Sequence, residues 1–343
     1  MRRKVLAAIA LAVALVVAAV AFLGSASARP DKTRATAFKA ALVSDVGRFN
    51  DKGFNQAQLV GLNNAKKKLN ITIGTAESTS DKDYVPNFTT FAAQKYNIVI
   101  GAGFLLADAE KQVADQFKST KFAITDYDVT GDPFKGADSP NVMGSQFSVE
   151  QNSYLVGCLA ALMAKKAGGN TISGVGGLPI PPVKDFFAGY TPGARKCVKG
   201  IKVRIDYSGS FTEQDKCKAL AANQISAGSK VVFNVAGPCG FGTLNAAKEG
   251  HVWGIGVDVD QAYLGPHILT SAVKRVDLWV LRVIQASQKG TFKGGTNMRF
   301  NLKNGGVGLG KISKKVPKAY IAKLNKLKAQ IISGKIKVPK SPR

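Results

Sequence analysis

The chain has 343 residues, of which 45% are hydrophobic and 20% charged, and its 48 Lys and Arg against 22 Asp and Glu give a formal net charge of +26. This length is sufficient for two domains of ordinary size. A positive charge of this size favours anionic surfaces, but neither zinc-finger spacing nor an aromatic RNP run accompanies it. We therefore expect no nucleic-acid partner, while association with a membrane surface stays open.

The N-terminus has the three parts of a secretory signal peptide. Arg2, Arg3 and Lys4 precede an apolar run over residues 5–23, and small residues follow up to Ala28. We expect residues 1–28 to direct export to the cell surface or extracytoplasmic space, with cleavage after Ala28. The apolar run is long enough to span a bilayer, so an uncleaved membrane anchor is the alternative.

Short apolar strands alternate with helices in the next part of the chain. The pattern predicts strands at 38–43, 71–76, 98–100, 122–125 and 142–147, and helices at 53–69, 84–95 and 105–117. Strands separated by helices of this length are typical of parallel βαβ units, in which helices cover both faces of the sheet.

The same alternation then repeats. Helices are predicted at 149–166, 183–196, 212–227 and 241–249, and strands at 171–175, 203–207, 231–235 and 252–257. The sequence therefore predicts an α/β fold with two doubly wound parallel-sheet lobes, at 36–148 and 149–271. A strand at 268–271 and a helix at 273–289 are expected to cross back, so that residues 272–343 complete the lobes and the hinge is multi-stranded.

Polar and aromatic residues follow directly after several predicted strands. Ligands of open α/β sheets bind beyond the carboxyl ends of the strands, and two such edges can face each other across a cleft. The residues at these positions include Asp45, Phe104, Asp126, Phe211, Gly237 and Asp258. Carboxylates accept hydrogen bonds from hydroxyl groups and aromatic rings stack on flat rings, so these residues favour a ligand with a ring and a polyol.

Four cysteines lie in the second half of the chain: Cys158, Cys197, Cys217 and Cys239. None has the C-x-x-C spacing of zinc or redox sites, and an oxidising compartment lets pairs close as disulfides. Cys217 is predicted to open a helix and Cys239 to end the next strand, at one edge of a sheet. This placement favours Cys217–Cys239 and Cys158–Cys197, with free buried thiols as the alternative.

The C-terminal segment is strongly basic. Residues 311–343 contain eleven Lys or Arg and no acid, while Tyr320, Leu324, Leu327 and Ile331 recur at helical spacing. The favoured interpretation is a helix whose apolar stripe lies opposite a solvated face. A basic helix that binds an anionic surface is the alternative.

Motifs along nearly the whole mature chain resemble one protein family. They occupy residues 43–45, 50–56 (NDKGFNQ), 122–126, 154–157, 189–194, 210–211, 254–258, 270–274 and 334–339. In these motifs the chain resembles the basic membrane protein family of ABC-transporter substrate-binding proteins and is similar to its purine nucleoside receptors. Gly53, where the family commonly has Ser, and Arg48 and Phe49, in a loop that often carries small residues, depart from the pattern and could reshape the pocket mouth.

This resemblance implies a periplasmic-binding-protein type I fold. It implies an extracytoplasmic solute-binding protein that holds a nucleoside, a purine nucleoside first, in the cleft between its lobes and delivers it to an ABC-transporter permease. No cofactor, metal or catalytic residue is implied, and a monomer is expected.

The resemblance also assigns ligand contacts to particular residues. They are Asp45 and Asn55 as polar contacts, Phe54 and Phe211 as two stacking walls, Asp126 toward the base or ribose, and Asp258 with Lys274 on the ribose hydroxyls. Gly237, from the strand-end analysis, allows close approach of the backbone. Phe104 and Asp51 are weaker candidates, since Asp51 can simply cap the following helix.

An enzyme is the competing class. The chain has no P-loop, no H-E-x-x-H and no G-x-S-x-G motif. The near-match at Gly101 and Gly103 has Leu106 where a dinucleotide fingerprint needs Gly. A hydrolase that uses Asp126 with Asp128, and a receptor for a sugar or signal molecule on the same fold, are the remaining alternatives.

Overall fold

The computed structural model describes residues 37–341, and within them the strands form two six-stranded sheets. The predicted signal peptide lies outside the described residues. None of the helices in the described part has the length and apolar character needed to cross a bilayer.

The first sheet is entirely parallel. Its strands are β1 (Lys39–Ser44), β2 (Thr72–Ala76), β3 (Ile98–Ala102), β4 (Lys121–Ile124), β5 (Val142–Phe147) and β11 (Thr296–Phe300), in the order β11-β5-β4-β3-β1-β2. Helices α1 (Phe54–Leu69), α2 (Tyr84–Ala93) and α3 (Ala107–Gln116) connect its strands. Ala40 and Leu42 of β1 belong to one buried cluster, whereas Ala41 and Val43 belong to another. Both faces are therefore covered, as a parallel sheet requires.

The second sheet repeats this arrangement. Its strands are β6 (Thr171–Gly176), β7 (Lys202–Tyr207), β8 (Ser229–Val235), β9 (Trp253–Asp258), β10 (Ile268–Lys274) and β12 (Val307–Leu309), in the order β12-β10-β9-β8-β6-β7. Only β12, paired with β10, is antiparallel. The accompanying helices are α4 (Val149–Lys166), α5 (Pro181–Cys197), α6 (Gln214–Ser226), α7 (Gly240–Glu249) and α9 (Lys318–Ile332).

Equivalent strands can be matched between the two sheets. Five strands in the first sheet run β2-β1-β3-β4-β5, and five in the second run β7-β6-β8-β9-β10 in the same relative order. In each sheet the chain first moves from a central strand, β1 or β6, to the edge strand beside it, β2 or β7, and then continues on the other side at β3 or β8. The switch point of each sheet therefore lies between β1 and β3 or between β6 and β8, which is where doubly wound sheets bind ligands. The matching also makes β4 and β9 equivalent.

Three segments cross between the sheets. The first joins β5 to α4, the second joins β10 to α8 (Val276–Gln288), and the third joins β11 to β12. Hydrogen bonds join the third segment to the other two. Ser148 N of the first segment donates to Phe300 O over 2.8 Å, and Arg275 N of the second donates to Gly306 O over 2.9 Å. A hinge of several strands is thus present, while the lobe boundaries given above stay a prediction.

The crossing region is also where the sequence prediction was wrong in detail. The helix expected at 273–289 begins only at Val276, because Val273 and Lys274 pair with β12 as the end of β10. Strands β11 and β12 were not predicted, since β11 (TNMRF) is mostly polar with no clear alternation and β12 has only three residues.

Two disulfides join Cys158 to Cys197 and Cys217 to Cys239, the pairing that the sequence favoured. The first links α4 to the last residue of α5, and the second links α6 to the turn that precedes α7. Both disulfides therefore connect elements that pack against the second sheet.

Helices α4 and α5 pack with their backbones in close contact. A Cβ added to Gly189 would overlap the carbonyl oxygen of Glu150, and one added to Gly193 would overlap that of Tyr154. Only glycine, which has no Cβ, therefore fits at these positions without moving the two helices apart. The motif glycines of the resemblance include both.

We expect Gly189→Ala to lower the free energy of unfolding by about 1 to 3 kcal/mol, because the added methyl forces the two helices apart. Urea unfolding followed by circular dichroism measures the change. Gly308→Ala is the matched control, since a Cβ there would meet nothing within 4 Å; equal losses in both variants would contradict the close-packing explanation.

Candidate functional site

The carboxyl edges of the two sheets border a common cleft. Every residue that the sequence analysis singled out for ligand contact lines it: Asp45, Asp51, Phe54, Asn55, Phe104, Asp126, Phe211, Gly237, Asp258 and Lys274. They come from both sheets and from the start of α1, although they span more than 200 positions of the chain. The two switch points of the fold thus meet at one place.

The turn between β1 and α1 forms a polar corner of this cleft. Asp45 Oδ1 accepts hydrogen bonds from Asn55 Nδ2 at 2.7 Å and from Gly47 N at 2.8 Å. Asn55 is 2% exposed, and its Oδ1 accepts no hydrogen bond from the described residues. A ligand N–H or O–H that reaches this oxygen would therefore satisfy a buried acceptor.

Asp51 has a structural role at the same corner. Its carboxylate accepts hydrogen bonds from the backbone N–H groups of Gly53, Asn55 and Gln56, at 2.8, 2.7 and 2.9 Å. These groups belong to the unpaired N–H donors at the start of α1, so Asp51 caps the helix. It lines the cleft, but its oxygens are already engaged.

Asp126 and Asp258 occupy equivalent positions after β4 and at the end of β9. Both have left-handed backbone conformations, with φ of 66° and 62°. Such values are uncommon for residues other than glycine and concentrate at functional sites. The two turns aim both carboxylates into the cleft from opposite sheets.

Lys274, the last residue of β10, lies between these carboxylates. Its side chain is 3% exposed, and its ammonium donates a hydrogen bond to Asp126, whose side chain is 7% exposed. The same Nζ lies 5.0 Å from the centre of the Phe54 ring and 5.8 Å from that of Phe186. Lys274 thus joins a carboxylate of the first sheet to the second sheet.

Asp258 differs from Asp126 in its partners. No described residue donates a hydrogen bond to its carboxylate, although it is 7% exposed. Burial raises the pKa of Asp258 to about 7; nearby Lys274 opposes this shift, while Asp126 adds to it. Burial likewise raises the pKa of Asp45 to about 6. Both groups therefore titrate near neutral pH.

Aromatic side chains border the cleft from both sides. Phe54 is the first residue of α1, next to the first sheet, and Phe211 follows β7 of the second sheet. Phe211 is held in place because Cys239 N donates to its carbonyl oxygen over 2.8 Å and its ring packs on Gly177. Phe104 packs instead on Tyr127, with ring centres 4.9 Å apart.

One wall of the cleft was not predicted from the sequence. Ile180, Pro182, Val183 and Phe186 line it from the start of α5. Their position after β6 was the available signal, since the N-terminus of a helix that follows a parallel strand lies at the carboxyl edge of the sheet. Phe186 is 3% exposed and has the sequence context of an ordinary core residue.

The cleft offers rings and hydrogen-bonding groups. Within residues 37–341, no group of three or more His, Cys, Asp or Glu side chains is arranged to hold a metal ion. Apolar walls with a few fixed polar groups are typical of sites for small molecules.

Comparisons with known proteins agree on the type of protein. A family model described as ABC transporter substrate-binding protein PnrA-like matches residues 38–342. The ABC transporter nucleoside-binding protein BmpA of Lactococcus lactis subsp. cremoris is 35% identical, with 99% of each chain covered. The CD4+ T-cell-stimulating antigen of Listeria monocytogenes is 31% identical, over 97% of this chain and 98% of its own.

A solved structure shows the same fold. The ABC transporter solute-binding protein from Aeropyrum pernix K1 superposes with a TM-score of 0.79 at 24% identity, over 89% of this chain and 94% of its own. The fold is that of periplasmic-binding-protein type I, and the family consists of extracytoplasmic substrate-binding proteins rather than enzymes. The resemblance seen in the sequence motifs is confirmed: the chain belongs to the Bmp family of PnrA-like ABC-transporter substrate-binding proteins.

Proposed function

We propose that this protein binds a nucleoside, with a purine nucleoside as the first candidate, in the cleft between its sheets and delivers it to an ABC-transporter permease. The observation that carries the proposal is the buried Asp258 carboxylate, which accepts no hydrogen bond from a described residue and shares the cleft with rings from both sheets. A carboxylate in this setting suits the vicinal hydroxyls of a ribose, and the rings suit a flat base. The printed name of the Lactococcus relative as nucleoside-binding supports the same ligand class.

The proposed mechanism is closure of the lobes around the ligand. Phe54 and Asp126 approach from one sheet, while Phe211 and Asp258 approach from the other. A ligand that contacts both sets binds the closed arrangement more tightly than an open one, and this difference in affinity shifts the hinge equilibrium. The permease would then recognise the closed form at the extracytoplasmic face of the membrane, where the predicted signal peptide or anchor directs the protein.

A thermal-shift screen of nucleosides, free bases, sugars and amino acids tests this function. We expect nucleosides to raise the unfolding temperature and free sugars to leave it unchanged, because only nucleosides use both the rings and the carboxylates. Mass spectrometry of small molecules that copurify with the protein identifies the bound species directly. Stabilisation by sugars alone would overturn the nucleoside proposal, and turnover of any compound would favour a hydrolase.

Nucleoside affinity should rise with pH. Below its pKa of about 7, Asp258 is protonated and loses acceptor capacity toward ligand hydroxyls, whereas above it the carboxylate accepts two hydrogen bonds. Binding therefore favours the ionised form, and we expect affinity to increase about tenfold between about pH 5.5 and about pH 8. Isothermal titration calorimetry across this range measures the slope, with proton release on binding as a second readout.

The Asp258→Asn variant should bind nucleoside more weakly, and its affinity should lose most of this dependence on pH. Asp260→Asn is the matched control, because Asp260 is an exposed carboxylate two positions further along the same turn and does not line the cleft. A slope that persists unchanged in Asp258→Asn would rule out this carboxylate as its source.

A further inference from the structure

The positive charge of this chain is concentrated at its C-terminal end. Residues 278–343 contain sixteen Lys or Arg and no Asp or Glu, so 66 residues carry +16 of the formal net charge of +26. The rest of the chain is much closer to balance, with 48 − 16 = 32 basic residues against 22 acidic ones. Among the described residues that line the cleft, Lys274 is the one lysine, and it lies outside this segment.

Ten of these basic residues form a surface that we call the basic band. All are exposed lysines: Lys311, Lys314, Lys315, Lys318, Lys323, Lys326, Lys328, Lys335, Lys337 and Lys340. The band is held beside the second sheet, because α9 packs on α4, which covers that sheet, and Leu324, Leu327 and Ile331 of α9 are buried. This confirms the apolar stripe predicted for α9, and its lysines occupy the remaining faces of the helix.

Hydrogen bonds at both ends show how far the band extends. Ser313 N donates to the carbonyl of Leu269, at the start of β10 and thus at the edge of the sheet opposite the cleft. Ser341 N and Oγ both donate to Asp185 Oδ1 at 2.9 Å, within the first turns of α5, which border the cleft. The band therefore runs along the flank of the second sheet from one edge to the other.

The band lysines form no ion pairs with described carboxylates, unlike some lysines elsewhere on the surface. None of the ten lies within 4.0 Å of a carboxylate oxygen of the described residues, whereas Lys111, Lys216 and Lys218 each pair with an Asp or Glu. Like charges at this density repel one another, so an anionic partner would relieve the repulsion. A merely solvated face would not require the complete exclusion of acidic residues from 66 positions.

The chemistry of the band favours lipid head groups over nucleic acid. Tyr320 is the only aromatic residue between 311 and 343, and it is half-buried, so the band has no exposed ring on which bases could stack. Its described charges are all lysines, which act as hydrated point charges, and the bidentate guanidinium groups that recognise phosphate geometry are absent from residues 311–341. Clustered lysines are the usual means by which proteins bind anionic membranes.

We propose that the basic band docks this protein on the surface of an anionic phospholipid bilayer, with the flank of the second sheet against the lipid. Docking there would restrict the protein to the plane in which a membrane permease lies. It requires no insertion, because the apolar side of α9 is already buried against the protein core. The interaction is electrostatic, so added salt weakens it.

Vesicle co-sedimentation tests the proposal. Residues 29–343 contain both complete sheets and their cores, and they omit the apolar N-terminal run, which is long enough to span a bilayer and would mask an electrostatic contribution. We expect them to bind vesicles of phosphatidylglycerol and phosphatidylcholine mixed at about 3:7 and not vesicles of phosphatidylcholine alone, at about 0.1 M salt. Replacing Lys318, Lys323, Lys326 and Lys328 together by Gln should weaken binding at least about tenfold, since each lysine near an anionic surface contributes about fivefold or less.

The matched control replaces Lys66, Lys67, Lys68 and Lys95 by Gln, which removes the same charge from exposed positions beside the first sheet. It should change vesicle binding less than about twofold. Arginine at the four α9 positions should preserve binding, and unchanged thermal unfolding and nucleoside binding in every variant show that the fold is intact. The proposal would be overturned if the two Gln sets lost vesicle binding equally or if the protein showed no preference for anionic vesicles. Tighter binding to duplex DNA than to vesicles at the same salt would also overturn it.

Discussion

Lys274→Met is expected to weaken nucleoside binding at least about a hundredfold, because it removes the buried partner of a charge inside the cleft. Lys274 is 3% exposed and donates to Asp126, and its ammonium also lies over the Phe54 ring. Without it, Asp126 must either remain ionised without a partner or take up a proton. Both outcomes change the acceptors that a ligand meets.

The same substitution should lower the free energy of unfolding by about 3 kcal/mol, since breaking a buried ion pair leaves one charge unsatisfied. Chemical unfolding measures this loss, and calorimetry measures affinity. Arg275→Met is the matched control: Arg275 is the next residue, its side chain is 46% exposed, and it pairs with Asp277 at the surface. Loss of that exposed pair should cost less than about 1 kcal/mol and leave affinity unchanged.

A double variant separates folding from binding. Asp126→Asn together with Lys274→Met leaves no buried charge in the pair, so much of the lost stability should return. Asparagine also tolerates the left-handed backbone at position 126. Nucleoside affinity should stay low in this variant. Wild-type affinity in Lys274→Met or in the double variant would show that the ion pair does not contribute to the site.

Removal of the disulfide between α4 and α5 should also have a large effect. Cys158→Ala with Cys197→Ala releases a cross-link between residues 39 positions apart, which by loop entropy costs about 4 kcal/mol of the free energy of unfolding. Alanine is preferred to serine because Cys158 is fully buried and a hydroxyl there would lack a partner. Urea unfolding with and without reductant measures the loss.

The second disulfide provides an internal comparison. Cys217→Ala with Cys239→Ala releases residues 22 positions apart and should cost about 3 kcal/mol, somewhat less than the first pair. None of the four cysteines lines the cleft, so nucleoside affinity at low temperature should be retained in both variants. Unchanged unfolding of the first double variant, or equal stability of oxidised and reduced protein, would contradict a stabilising role for these cross-links.

Local sequence patterns were enough to predict most of the secondary structure and the position of the cleft. The repeated alternation of strands and helices predicted two parallel sheets, because burial on both faces leaves a continuous apolar run in each strand. The carboxyl ends of those strands then selected Asp45, Asp126 and Asp258 without reference to any ligand. The helical spacing of Leu324, Leu327 and Ile331 likewise predicted the buried side of α9.

The family resemblance added residues that the strand-end rule could not select. Phe54 and Asn55 lie at the start of α1, several positions beyond β1, and Lys274 lies within a stretch predicted as helix. Their positions in the cleft follow from the structure, whereas their contacts with a nucleoside stay a prediction.

By itself, then, the sequence determined the alternation of elements, the two sheets and the edges at which a ligand binds, since these depend on the burial of neighbouring residues in the chain. Only the tertiary structure decided that Lys274 pairs with Asp126, 148 positions away, that β11 returns to the first sheet, and that Phe186 forms a wall of the cleft. Each of these depends on how two separately formed sheets approach each other. Local periodicity contains no information about that approach, because it records which face of an element is buried and not which distant element covers it.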